Sequence, residues 1–338
     1  MSSLSLYGVE IEEAGQGTAL ATALLADVRA TGRALLVAWA LPGAVLTLGR
    51  YHVVPPAREG ASVGLARRLT GGRAAPLGRG FVGLTVALAH RNALLPRTAS
   101  PLSPAQIPNR YVRGLLGALE LLGVHAYYPG RDVITVDGRI IASLGFEVCA
   151  DGAVLIEVAL AVGRSFADLS HIADAADPTG VVPTNLLLPE QGTSIGEVTG
   201  RTPRLEELVS AIAAGYAARL DVETTRCTPV TIRSVDPAWL EQGRLAPHLD
   251  RHATMRAMLG VIDVHAAREG DVVADVRVCG DFIAPAYTVD ALQAALRGAP
   301  VDRAALRQRS ANAAGGGFIL GVESPESIGN LVFEACRQ

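Results

Sequence analysis

Between Tyr127 and Val162 three strand-like runs are joined by Asp137-Gly138 and Asp151-Gly152. Asp-Gly between apolar runs places two residues that tolerate positive φ where a tight hairpin turn needs them, so this stretch predicts an antiparallel meander. The meander gives the fold its strongest local constraint, and the remaining elements must be arranged around it. Residues 4–12 alternate well enough for a strand, and Leu20, Leu24 and Val28 recur at helical spacing over residues 18–31. Residues 34–40 and 44–48 read as two strands around Pro42-Gly43, and residues 81–89 as another. Four prolines (Pro96, Pro101, Pro104, Pro108) mark an irregular connection, after which Asn109 is the expected N-cap of a helix over 110–122 ending at Gly123.

A short helix over 166–176, a turn at Asp177-Pro-Thr-Gly and an amphipathic helix at Leu205–Leu220 complete the first part, with a strand or linker over 224–237. The pattern then restarts. A helix over 246–258, strands over 260–266 and 272–278, and helices over 289–298, 301–309 and 324–338 are expected. A length of 338 residues with a restarting pattern predicts two domains, 1–230 and 240–338, divided between about 222 and 245.

The segment that most suggests chemistry is Arg67-Arg-Leu-Thr-Gly-Gly-Arg-Ala74, a glycine-rich loop leading to the strand at Phe81. Paired glycines let backbone N–H groups approach a ligand, and Arg67, Arg68, Arg73 and Arg79 supply fixed positive charge, so an anionic ligand is the natural inference. A tight turn with solvated arginines explains the same composition. The loop leads into a strand and carries no Walker pattern, so neither a P-loop nor a dinucleotide fold is read here.

Composition narrows the chemistry further. All 30 basic residues are arginine, and the chain has no lysine. A mechanism that needs a Schiff base or a titratable amine is therefore excluded, since arginine stays protonated. The four cysteines (Cys149, Cys227, Cys279, Cys336) form no CxxC pair, which predicts no metal site and no disulfide framework. A net charge of −3 gives no reason to expect nucleic acid, and no apolar run has the length of a membrane span. The N-terminus lacks a basic segment followed by an apolar one, so the expected location is cytoplasmic.

The glycine loop, the later Gly130-Arg131-Asp132 turn and the Val136-Asp-Gly-Arg139 hairpin together resemble the lipoate–protein ligase and octanoyltransferase family, which shares its fold with biotin–protein ligases. The resemblance covers roughly residues 1–220. The restarted segment, with Val278-Cys-Gly-Asp-Phe282, is similar to the accessory domain of lipoate–protein ligase A. It implies an α+β fold: a mixed, largely antiparallel β-sheet with flanking helices, plus a small α/β C-terminal accessory domain. It also implies a tunnel for lipoate or octanoate as substrate, ATP with magnesium for activation, and a lipoyl-domain protein or acyl carrier as partner. The family's Arg-Arg-x-x-Gly-Gly-Gly segment falls on Arg67 to Arg73, so Arg68, Thr70, Gly71, Gly72, Arg73 and Ala74 become substrate-binding candidates, joined by Arg131, Asp132 and Ile140.

The departures matter as much. The family's essential lysine, which holds the acyl carbonyl and offsets charge developing in the transition state, falls on Ile140, and isoleucine cannot do this. The His-Asp that follows the family's glycine loop is Leu77-Gly78, and the last residue of its Gly-Arg-Asn-Asp turn is Val133. Arg139 and Cys149 are the remaining catalytic candidates, although alternation turns Arg139 away from Ile140, and a thiol nucleophile needs a depressed pKa. His52, His90 and His171 are isolated in sequence. Three functions are thus open: a ligase or transferase acting on lipoyl-domain lysines with a non-standard site, a catalytically impaired homologue that binds lipoate, octanoate or an acylated carrier, and a scaffold for protein interaction.

Overall fold

A computed structural model describes residues 2–56, 62–96, 99–177, 191–232, 236–315 and 317–338. The chain opens with β1 (Ser3–Glu10), α1 (Gln16–Thr31), β2 (Ala34–Ala40), β3 (Val45–Leu48), β4 (Gly64–Arg67), β5 (Ala75–Leu77) and β6 (Phe81–Leu88). After α2 (Gln106–Leu121) come the meander strands β7 (Val133–Val136), β8 (Arg139–Val148) and β9 (Val154–Ala161). A 3-10 turn at Phe166–Asp168 leads into α3 (Leu169–Ala176), followed by α4 (Ile195–Thr199), α5 (Leu205–Leu220), β10 (Glu223–Arg226) and α6 (Pro237–Glu241). The last part comprises β11 (Arg251–Arg256), β12 (Val261–Glu269), β13 (Val272–Gly280), α7 (Ala286–Leu296), α8 (Arg303–Ala314) and α9 (Pro325–Arg337).

The meander sits at one side of a seven-stranded sheet of order β10-β1-β2-β6-β9-β8-β7, in which β1 pairs in parallel with β2 and β10 and all other pairs are antiparallel. Asp137 and Gly138 both take positive φ at the β7–β8 turn, as a two-residue hairpin requires. The strand β9 is buried along its whole length, which marks it as the centre of the core. A three-stranded sheet of order β4-β3-β5 stands beside the large one and carries the glycine loop between β4 and β5. In the C-terminal part β11, β12 and β13 form an antiparallel sheet, and Val264, Val276, Leu292, Leu306 and Val332 share its core with α7, α8 and α9. The two cores interlock: Tyr51 belongs to the C-terminal core, and Leu259 and Ile283 belong to the larger one.

Several expectations require correction. The helix expected over 246–258 is instead the strand β11, in which half-buried Met255 and buried Ala253 alternate with exposed His252, Thr254 and Arg256; the period is two, not 3.6. Asn109 does not cap α2, because the helix begins three residues earlier and tolerates Pro108 in its first turn, where a missing N–H costs nothing. The strands on either side of Pro42-Gly43 enter different sheets. Only Asp177 of the turn expected at 177–180 lies within the described residues.

Candidate functional site

The glycine loop is held so tightly that its glycines have no substitute. A Cβ on Gly71 would stand 2.4 Å from the carbonyl oxygen of Phe282, and Gly72 has φ of +99°. The Gly72 N–H donates to that same carbonyl at 2.7 Å, so the tripeptide Gly280-Asp281-Phe282 closes over the loop from the C-terminal sheet. Phe282 stacks on Tyr51 with centroids 4.4 Å apart, and the Tyr51 hydroxyl donates to Ala284 O. Beneath them His52 is wholly buried: its Nδ1 accepts from Gly49 N–H at 2.8 Å and its Nε2 lies 2.9 Å from Asp281 Oδ1. His52 is thus a structural pin between the two parts of the chain.

Arg68 points into the larger core. Its guanidinium donates to Arg73 O at 2.7 Å and more distantly to Thr47 O and Gly71 O, which braces the loop from inside. The compensating charge is Glu157, in the middle of β9, whose carboxylate accepts from the Thr70 N–H at 3.0 Å. Burial pushes the Glu157 carboxyl up and the Arg68 guanidinium down, and each charge opposes the shift of the other. Around this pair lies an apolar space lined by Gly17, Trp39, Leu41, Val45, Leu84 and Val158, with Thr47 beside Arg68. The Trp39 indole N–H is satisfied by Thr85 Oγ1, so its ring offers an apolar wall. The space is narrow, with room for about one water molecule, and an acyl chain enters only if its walls part.

The other expected residues are placed less favourably for chemistry. Arg73 forms a two-pronged ion pair with Asp132 at 2.7 and 2.9 Å, and Asp132 is wholly buried, so the two motifs are stapled together and face each other instead of a ligand. Thr70 and Ala74 are buried in the same loop, while Arg131 is exposed. Ile140 is buried in the larger core, and its carbonyl accepts from Thr193 N–H at 2.9 Å. Arg139, half-exposed, begins β8 opposite Val136. Burial, with Glu147 nearby, pushes the Cys149 thiol up, which is the reverse of an activated nucleophile. Leu77 and Val133, which stand where the resemblance puts polar contacts to nucleotide and magnesium, are buried and apolar. Those positions do not fit a magnesium–nucleotide, and no cluster of His, Cys, Asp and Glu suited to a metal occurs among the described residues. Nor is any helix there long and apolar enough to cross a membrane.

Sequence reasoning missed Glu157, Thr47 and the His52–Asp281 pair. Glu157 had a visible signal, a lone carboxylate inside the apolar run Val154-Leu-Ile-Glu-Val-Ala-Leu-Ala161, which demands a buried partner.

Residues 246–325 match the family model described as the C-terminus of bacterial lipoate protein ligase. The whole chain is similar in structure to LipL1 of P. falciparum, solved in complex with lipoate: TM-score 0.68 at 13% identity, over 98% of this chain and 99% of that one. Lipoate-protein ligase A bound with ATP gives a TM-score of 0.52 at 15% identity, over 72% of this chain and 94% of that one. Ta0514 from T. acidophilum, solved with lipoic acid, gives 0.50 at 16% identity with the same coverages. No curated protein matches in sequence. The likeness is one of fold: this is the lipoate–protein ligase fold, with the C-terminal domain of those enzymes.

Proposed function

We propose that this chain, a lipoate–protein ligase fold with its C-terminal domain, is an acyl-binding homologue that has lost carboxyl activation. One observation carries the reading: the position that the family resemblance gives to the essential lysine is Ile140, packed in the larger core of a chain without lysine. Arg139 and Cys149 do not replace it, the first being half-exposed at the hairpin and the second having a raised thiol pKa. What supports binding is the retained loop, with Arg68 and Glu157 flooring an apolar space walled by Trp39, Leu41, Leu84 and Val158. Residues 1–230 would form the acyl-binding unit and 240–338 its accessory domain. A lipoyl group, an octanoyl group or the acylated arm of a lipoyl domain or carrier protein would enter along Trp39 by displacing the side chains that close the space.

The test is calorimetric titration with lipoate, octanoate and lipoyl-AMP, followed by mass spectrometry of a lipoyl domain incubated with the protein, lipoate and ATP. Binding without mass gain is expected; mass gain on the lipoyl domain would sink the loss of activation. Ile140→Lys should then raise activation of lipoate, and unchanged activity would show that the hairpin does not face the acyl carboxyl. The narrowness of the space favours a second reading, a scaffold that binds no acyl group. Unchanged tryptophan fluorescence and no heat with any of the three ligands would establish it.

A further inference from the structure

Arg67 and Arg68 are consecutive, yet Arg68 enters the larger core and Arg67 turns the other way. Arg67 lines a groove of about 470 Å3 between the glycine loop and the C-terminal sheet, shared with Arg50, Trp239, Asp275, Arg277 and Arg297. That volume lies within the range of small-molecule pockets.

The hydrogen bonds that Arg50, Arg67 and Arg277 make go to backbone carbonyls, and among the described residues none of the three pairs with a carboxylate. Arg67 donates from Nε to Arg50 O at 2.9 Å and from Nη1 to Trp239 O at 2.8 Å. Arg277 donates to Arg244 O and Gly243 O, and Arg50 commits only Nη1, to Leu69 O. A carbonyl is a dipole: it satisfies an N–H and leaves the unit charge uncancelled. Among the described residues no carboxylate lies within 4.0 Å of Arg50, Arg67 or Arg277. Asp275 is engaged by Arg297 at 2.6 Å and His248 at 2.9 Å, and Asp290 is exposed at the rim. The remaining acid near Arg50 is Glu147, whose carboxyl burial pushes up to about 7, so that it is only partly charged at neutral pH. Burial drives the Arg67 guanidinium down to about 10, and the like charges of Arg277 and Arg50 push it the same way.

We infer that this groove binds a phosphate-bearing small molecule, an oxyanion of two or more negative charges seated among Arg50, Arg67 and Arg277. Guanidinium forks suit phosphate oxygens, the concavity suits a small molecule better than a protein surface, and one monoanion would leave most of the charge unmatched. The site is separate from the apolar space behind Arg68 and does not depend on the acyl-binding reading.

The experiment is calorimetric titration of the full chain with inorganic pyrophosphate, inorganic phosphate and an acidic hexapeptide, each at two salt concentrations. Pyrophosphate should bind with Kd below about 1 mM and more tightly than phosphate, weakening as salt rises. Arg50→Gln should weaken it at least about tenfold, and Arg50→Lys, which keeps the charge but not the fork, should fall between the parent and Arg50→Gln. No heat at millimolar pyrophosphate, affinity indifferent to Arg50→Gln, or tighter binding of the peptide would each overturn the assignment.

Discussion

The two arginines that begin the glycine loop occupy opposite circumstances. Arg68 is sealed in the larger core with a carboxylate, Glu157, and an apolar space barely wide enough for water. Arg67 is just as buried but keeps company with Arg50 and Arg277, its hydrogen bonds met by backbone alone, beside a groove with real room. On the Arg68 side a buried carboxylate opposes the charge without a direct ion pair, and the space is closed, so its residues serve stability first. On the Arg67 side the charge is left standing, and a ligand has something to gain by arriving.

The largest effect should come from removing the buried carboxylate whose charge opposes that of Arg68. Glu157→Leu strands the Arg68 guanidinium in an apolar core, and the expected loss is about 3–5 kcal/mol in urea denaturation. The double variant with Arg68→Met should regain much of this, because the pair as a whole is no better than well-packed apolar side chains. Equal instability of the double variant would mean that the bracing of Arg73 O by Arg68, not the charge, is what the loop requires.

How far such a comparison could be foreseen depended on the range of the interaction. The meander was legible because an Asp-Gly turn acts within four residues, and α5 because its apolar spacing is local. The strand β11 was not, since Leu249 and Ala253 stand four apart, a spacing that satisfies a helix as well as a strand, and pairing with β12 decides between them. In the site, the loop and the Asp132 turn were legible as motifs. That Arg73 and Asp132 join each other across 59 positions, or that Phe282 caps Gly72, is written only in the tertiary packing.

A smaller effect should separate the two sides by pH. Glu147 is buried on β8 where the C-terminal part docks: Oε1 accepts from Ala286 N–H at 2.8 Å, at the start of α7, and Oε2 has no partner. Burial, opposed by the Ala286 bond and Arg50, raises its carboxyl from 4.5 to about 7. The folded chain then binds more protons than the unfolded chain between those values, so this group's stabilisation is complete below pH 4.5 and lost as pH rises to about 7. The total is about 3 kcal/mol. Glu147→Gln should flatten that part of the stability profile relative to the parent protein, and an unchanged slope would show that the carboxyl is ionised throughout. Glu157, raised by the same burial, is opposed first by the charge of Arg68, whereas for Glu147 the Ala286 N–H bond opposes burial ahead of Arg50.

The smallest effect tests the Arg67 side most directly. Arg50→Gln removes a cation stacked 5.1 Å from the Trp239 ring and one hydrogen bond to Leu69 O, which together stabilise by about 1 kcal/mol. It also removes a like charge from the neighbourhood of Arg67, which works in the other direction by a similar amount. The two nearly cancel, so the variant should unfold within about 1 kcal/mol of the parent, whereas Arg68→Met, which orphans Glu157, should cost about 3 kcal/mol or more. Added pyrophosphate sharpens the contrast. It should raise the unfolding temperature of the parent and of the Arg68→Met variant alike, because Arg68 lies on the far side of the loop, and leave that of Arg50→Gln almost unmoved. A thermal shift that survives Arg50→Gln but vanishes with Arg68→Met would reverse the comparison, placing the anion in the core and the structural charge in the groove.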